Sequence, residues 1–165
     1  MTDDLEPGKQ TGRQPGVSPD LESRYRAYLA ALNERRLDDL VEHVHDELTY
    51  NGEPMTRRQY QELIAADLAA APDLVYDAQL VVAANDAAGG QVACRLVFDC
   101  APQGEFLGFR PDGARLRFAE HVFYRYEDGR IAAVRSMIDR AAIAEQLSGQ
   151  DGLPPSPISL PSGSR

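Results

Sequence analysis

The spacing of apolar residues predicts that the chain begins with helices. Ser18, Pro19 and Asp20 have the order of an N-cap, a first-turn proline and an acidic first turn. The apolar residues that follow recur every three or four positions, as on one buried helical face: Leu21, Tyr25, Tyr28, Leu29 and Leu32. Similar spacing indicates a second short helix with Leu37, Leu40, Val41 and Val44.

A third helix is predicted over residues 56–71. Thr56 and Gln59 have the spacing of a capping box, and Pro72 would end the helix. Its buried face is predicted to hold Tyr60, Leu63, Ile64, Leu68 and Ala71. Asp67 falls on the same face, which would place a carboxyl group among apolar side chains.

One strand is predicted after the second helix, and a series of strands is predicted after the third helix. A short strand over 47–51 ends at Gly52 and Pro54. Alternating, β-branched and aromatic residues then fill 74–84, 91–100, 114–126 and 130–138, separated by turn signals. A short helix over 139–147, capped by Asp139, follows. This order predicts an α+β fold in which a curved antiparallel sheet forms a cone capped by the N-terminal helices.

The length and composition predict one domain and exclude several classes of partner. Of the 165 residues, those at 18–148 are expected to fold, whereas the polar, proline- and glycine-rich tails at 1–17 and 149–165 are predicted to be disordered. A net charge of −9 argues against nucleic acid and against an anionic membrane surface. Without a basic, apolar leader or a spanning apolar run, a cytoplasmic location is expected.

The cysteines and histidines predict neither a disulfide within the chain nor a metal site. Cys94 and Cys100 fall on one face of a single strand at about 20 Å, too far apart to bond. The three histidines, His43, His45 and His121, have no ligand spacing. We therefore expect a protein that needs no metal.

Alternation along residues 116–126 gives the main candidate for chemistry. Leu116, Phe118, Val122, Tyr124 and Tyr126 share the apolar face with Glu120, whereas His121 falls on the opposite face. Burial among apolar groups raises the pKa of a carboxyl group toward the range useful for a general acid or base. Glu120 is the predicted catalytic group; the alternatives are an ion pair with an arginine or a place at the rim.

Asp67 is the predicted second catalytic carboxyl group, since two carboxyls facing one apolar space can divide acid and base roles. It could instead lie at the flank of its helix and reach solvent. Tyr50, Tyr124 and Tyr126 could donate hydrogen bonds to a carbonyl or enolate oxygen, or be ordinary core tyrosines. Residues 104–113 are predicted to form a glycine-rich loop whose aromatics, including Phe106, fold over an opening.

Several short segments together resemble the SnoaL-like polyketide cyclase and ester cyclase family. This family shares its cone fold with nuclear transport factor two, ketosteroid isomerase and scytalone dehydratase. The resemblance covers about residues 24–147, and the matching positions are 71–74, Arg95, 104–108, Pro111, Gly113, Phe118, Arg125, 127–131 and 139–147. Each segment is weakly specific, but their order and spacing together point to the family.

The resemblance implies a cofactor-free enzyme of secondary metabolism, commonly a homodimer, that binds a small hydrophobic carbonyl compound in the cone. In the polyketide cyclases, a histidine and an aspartate on the last two strands move the proton. Those positions fall at Val122 and Ser136 here, and two other typical family residues, a histidine and a tryptophan, are Pro102 and Arg135. The predicted ligand-binding residues are Tyr50, Asn51, Phe106, Val122, Tyr124 and Ser136.

Four functions follow from these residues and from the resemblance. The first is cofactor-free acid–base chemistry on a hydrophobic carbonyl compound such as a polyketide intermediate, by a cyclase, isomerase or dehydratase (lyase). The second is a non-catalytic cone that binds a small ligand, and the third is an interaction domain that uses its exposed sheet face. The fourth is an epoxide hydrolase, whose Asp-Arg-Asp set with Tyr and Asn is represented only by Arg95, Tyr50 and Asn51.

Overall fold

The computed structural model describes residues 20–149. The predicted disordered tails therefore lie outside the described residues, except for Gly149, which ends the last helix. Ser18 and Pro19 lie outside them as well. The first helix, α1 (Leu21–Asn33), is capped by Asp20, whose carboxylate accepts the Ser23 N–H at 2.7 Å. Asp20 thus has the capping role that the sequence suggested for Ser18.

The remaining helices match the predictions except in their details. A 3₁₀ turn (Leu37–Asp39) leads into α2 (Leu40–His43), and Val44 already belongs to a strand. α3 (Arg57–Ala70) has the predicted capping box of Thr56 and Gln59. Leu63 was wrongly placed on its buried face, because its side chain is 40% exposed. α4 (Arg140–Ser148) is capped by Asp139, as predicted.

Six strands form one sheet in the order β2-β1-β6-β5-β4-β3. Their bounds are Val44–Tyr50 (β1), Glu53–Thr56 (β2), Asp77–Ala84 (β3), Gly90–Cys100 (β4), Leu116–Glu127 (β5) and Arg130–Ile138 (β6). The sequence did not predict β2, because Gly52 and Pro54 indicated a turn. Pro54 is tolerated there because β2 is an edge strand, in which one side of the backbone has no neighbouring strand and needs no N–H donor.

The prediction of a wholly antiparallel sheet was wrong in one place. β1 and β6 are paired in parallel, whereas all other neighbouring strands are antiparallel. The chain leaves β1 through β2 and α3, builds the β3-β4-β5 hairpins, and returns with β6 into the gap between β1 and β5. Hairpin signals report only consecutive strands, so they do not indicate this closing pair.

The two faces of the sheet differ as the alternation predicted. The inner face is apolar and is covered by α1, which packs on β3 and β4, by α3 on β1, and by α4 on β5. The outer face of β5 exposes Arg117, His121, Phe123 and Arg125. Register shifts in β1–β6, β3–β4 and β5–β6 add local bends, which curve the inner face around its contents. Among residues 20–149, no helix has the length and apolarity needed to span a bilayer.

Candidate functional site

Glu120 lies on the inner face of β5, where it makes a short hydrogen bond to the neighbouring strand. The Ser136 hydroxyl of β6 donates to Glu120 Oε1 at 2.5 Å. In the register, Ser136 is opposite Val122 and Glu120 is opposite Ile138, so the bond is diagonal. Burial raises the pKa of Glu120, the Ser136 hydrogen bond opposes this, and the nearby Asp67 charge adds to it. Within residues 20–149, no arginine pairs with Glu120.

Asp67 and Tyr50 face the same region from other elements. Asp67, on α3, is partly buried, and burial raises its pKa to about 6. Its carboxyl group has no hydrogen bond or ion pair with any other described residue. Tyr50 ends β1, and burial raises its pKa; contact with Ser136 opposes this, whereas the Glu120 and Asp67 charges reinforce it. α3, β1, β5 and β6 thus bring two carboxyls and two hydroxyls together.

A layer of phenols lies behind this group. Tyr28 of α1 and Tyr60 of α3 are buried, and their hydroxyls are 2.6 Å apart. Burial raises the pKa of both phenols far above the usual value, so both stay protonated. The sequence gives no sign that Tyr60 is a functional candidate, since its helical spacing marks it only as a core residue. Tyr28 and Tyr60 are 32 residues apart in the sequence, so their contact depends on how α1 and α3 approach each other.

Three of the predicted ligand-binding residues lie in the packed interior. Phe106, Val122 and Tyr124 are 3%, 1% and 5% exposed. Phe106 packs edge-on against Phe118, with ring centroids 6.1 Å apart, and Tyr124 packs on the rings of α1. The inner face of β5 is therefore filled by the protein's own side chains both before and after Glu120. Glu120 itself, Asp67 and Tyr50 are partly exposed.

Asn51 lies just outside this group and holds its edge in place. It has a positive φ of 50°, and its side-chain oxygen accepts the Ser136 N–H at 2.8 Å. Its own N–H donates to the Val134 carbonyl at 2.9 Å. Asn51 thereby fixes the backbone of the residue that bonds to Glu120.

Two residues considered in the sequence analysis are on the outer face. His121 is exposed there, as the alternation predicted. Arg95 is its cross-strand neighbour and contacts Gln79. The structure therefore does not bring Arg95 together with Tyr50 as an epoxide-hydrolase set would require. A groove of about 970 Å³ crosses this face past His121, Phe123 and Arg135, and no carboxyl group lines it.

The loop at 101–115 borders the group of carboxyls and hydroxyls. The Gln103 N–H donates to the Ala70 carbonyl, one helical turn beyond Asp67. Phe106 contacts Phe118, which precedes Glu120 on the inner face of β5. At the other end of the loop, the Arg140 guanidinium lies 4.9 Å from the centre of the Phe109 ring. Leu107 packs against the core between these two aromatics.

The arrangement is suited to moving protons in an apolar setting. Burial raises the pKa of both carboxyl groups, and the Asp67 charge raises that of Glu120 further, so one can remain protonated while the other is ionised. The Tyr50 hydroxyl is in a position to donate to an oxygen that becomes negative. Among residues 20–149, no group of three metal-ligating side chains was found.

The α+β fold and the partly buried carboxyl groups on its inner face define a class of protein with which the chain can be compared. The model of the SnoaL-like polyketide cyclase family matches residues 22–147. The chain therefore belongs to the SnoaL-like polyketide cyclase family. No curated protein matches it.

Solved structures support this assignment. A SnoaL-like polyketide cyclase from Agrobacterium tumefaciens is 38% identical, with a TM-score of 0.73, over 79% of this chain and 99% of that one. IdmH, a putative polyketide cyclase from Streptomyces antibioticus, is 22% identical, with a TM-score of 0.66, over 78% of this chain and 98% of IdmH. AclR, a putative hydroxylase from Streptomyces galilaeus, is 24% identical, with a TM-score of 0.64, over 81% of this chain and 97% of AclR. The last two show only the shared fold.

Proposed function

We propose that the protein is a cofactor-free enzyme that transfers a proton next to a carbonyl group of an uncharged, hydrophobic compound, such as a polyketide intermediate. The observation that supports this most is the inward Glu120 carboxyl, hydrogen-bonded to Ser136 and facing Asp67. Cyclase, isomerase and lyase reactions can all begin with this step. A cytoplasmic location remains a prediction.

Each group has a role that follows from its surroundings. Ionised Glu120 takes a proton from the carbon next to the carbonyl group, and burial makes it a stronger base than an exposed glutamate. Tyr50 donates a hydrogen bond to the resulting enolate oxygen. Asp67, with a pKa of about 6, holds a proton over part of the neutral range and can return it. Because Ser136 occupies the family's aspartate position, Glu120 would supply that carboxylate from the neighbouring strand.

Deuterium exchange tests this step without knowledge of the natural substrate. In D₂O, the protein should speed the incorporation of deuterium next to the carbonyl group of 1-tetralone, read by mass spectrometry. Glu120→Gln should lower the enzymatic rate by about 10²–10⁴-fold, the usual contribution of a general base. Exposed Glu47→Gln, on the same sheet, is the matched control and should retain full activity. Equal exchange by Glu120→Gln and the parent protein would remove Glu120 from the mechanism.

The second candidate is a non-catalytic cone that binds the same kind of ligand. The observation that favours it is Val122 and Ser136 at the positions of the family's proton-moving pair. Saturable binding of 1-tetralone with exchange no faster than in buffer would support this function.

We also propose that a second copy of the chain covers the outer face of the sheet. Two adjacent rows of side chains cross the strands there. One row contains Val82 and Phe123 and the other contains Leu80 and Met137, and each of these four residues is 56–71% exposed. Stable association buries roughly 1,200–2,000 Å², and an exposed apolar patch of this kind is typical of such a surface. Light scattering should show a dimer that Phe123→Glu converts to a monomer. Val41→Glu, exposed but on α2, should remain dimeric; a monomeric parent protein would refute the proposal.

A further inference from the structure

Leu107 occupies a backbone position that does not favour leucine. Phe106 and Phe109 exchange both of their backbone hydrogen bonds at 2.9 Å, so Leu107 and Gly108 form a two-residue hairpin turn. Both residues have positive φ, at 52° and 77°. This turn favours Asn-Gly or Asp-Gly, since a branched side chain is strained in the left-handed region.

The chain contains the same turn with the favoured residues. Asp128 and Gly129 join β5 to β6 with φ values of 47° and 76°. Asp128 is exposed, whereas Leu107 is partly buried and packs against the core. The sequence therefore uses the ordinary residue at the β5–β6 turn and a strained apolar residue at the loop that borders Glu120. Strain held at one position is a reason to look for a function there.

We propose that Leu107 is a specificity-determining residue that contacts the apolar part of the ligand next to Glu120. The inference rests on the proposed function and names one surface of the same site. The turn is fixed on both sides, by Phe106 on Phe118 and by Phe109 on Arg140. A fixed turn with Leu107 at its tip presents a rigid apolar contact rather than a mobile one.

The test compares variants that separate the side chain from the backbone strain. Leu107→Ala removes the side chain and keeps the strain, whereas Leu107→Asn removes both. Binding is measured with 2-naphthol, an uncharged bicyclic phenol whose fluorescence can be followed because the chain has no tryptophan. We expect both variants to bind it about 10-fold or more weakly, as for lost apolar contacts in a pocket. Leu107→Asn should have the higher melting temperature of the two.

The reciprocal control is Asp128→Leu, which places the same strain in the other turn. It should lower the melting temperature and leave 2-naphthol binding unchanged. The inference would be overturned if both Leu107 variants bound 2-naphthol as tightly as the parent protein does. It would also be overturned if the parent protein showed no saturable binding of 2-naphthol. The 1-tetralone exchange assay separates this outcome from failure of the proposed function, since 2-naphthol binding and its loss in the Leu107 variants are measured whether or not the parent protein catalyses exchange.

Discussion

The Ser136 hydroxyl donates a 2.5 Å hydrogen bond to the Glu120 carboxyl across the β5–β6 ladder. This bond connects a partly buried acid to the position at which the family's cyclases have an aspartate. It also opposes the effect of burial on the pKa of Glu120, because it favours the ionised form.

Replacing Ser136 should therefore make Glu120 harder to ionise. In Ser136→Ala, the pKa of Glu120 should rise further, because the hydrogen bond that favours the ionised carboxylate is lost. NMR titration of ¹³C-labelled glutamate reads this shift without any substrate. Ser136→Thr keeps the hydroxyl and should titrate like the parent protein; an unchanged titration of Ser136→Ala would show that the bond has no electrostatic role.

Asp67 should make the protein less stable as the pH rises. Its pKa in the folded state is about 6, above the usual 3.8, so the folded state binds the proton more tightly than the unfolded chain does. The resulting loss of stability develops between about pH 4 and pH 6 and is complete above that range. After allowance for solvent screening of a partly exposed group, Asp67→Asn should be more stable at pH 7 by about 1–2 kcal/mol.

Urea unfolding of Asp67→Asn and the parent protein from pH 4 to pH 7.5 checks this. The two stability curves should converge near pH 4 and separate toward pH 6. Curves that stay parallel over the whole range would show that the Asp67 carboxyl is solvated like a surface group.

The hydroxyls of Tyr28 and Tyr60 should be strongly coupled. Tyr28→Phe leaves the Tyr60 hydroxyl buried without this partner, which costs about 1–3 kcal/mol, and Tyr60→Phe does the same to Tyr28. The double variant removes both polar groups and should cost less than the sum. A double-mutant cycle by denaturant unfolding measures the difference; additive effects would mean that the two hydroxyls do not depend on each other.

The capping box at the start of α3 should contribute measurably to stability. Thr56 accepts the Gln59 N–H at 3.2 Å, and the Gln59 side chain accepts the Thr56 N–H at 2.9 Å. Thr56→Ala should cost about 1 kcal/mol and lower the melting temperature by roughly 3 °C. Thr56→Ser keeps the acceptor and is the control. No change in Thr56→Ala would show that solvent replaces the cap at no cost.

Local patterns predicted much of this fold because they report what each segment does on its own. Alternation along β5 correctly placed Glu120 inside and His121 outside, and the Thr56–Gln59 spacing correctly marked the start of α3. The site depends on relations that no local pattern contains. The bond between Ser136 and Glu120 requires the β5–β6 register, and the Tyr28–Tyr60 pair requires the approach of two helices.

The left-handed turn at Leu107 is the clearest case of information absent from sequence patterns. A Leu-Gly pair does not signal a two-residue hairpin, and only the paired bonds of Phe106 and Phe109 reveal it. The parallel pairing of β1 with β6 was missed for a related reason, since turn residues describe neighbours along the chain and these two strands are about 80 residues apart.

The packing beyond Glu120 on β5 limits how a guest molecule can reach the carboxyl group. Val122 and Tyr124 are the next two inward residues of that strand, and Tyr124 lies about 13 Å from Glu120 along it. They are 1% and 5% exposed, so the inner face of β5 has no room for a guest in that direction. A guest is therefore restricted to the side of the carboxyl group that faces Asp67 and Tyr50.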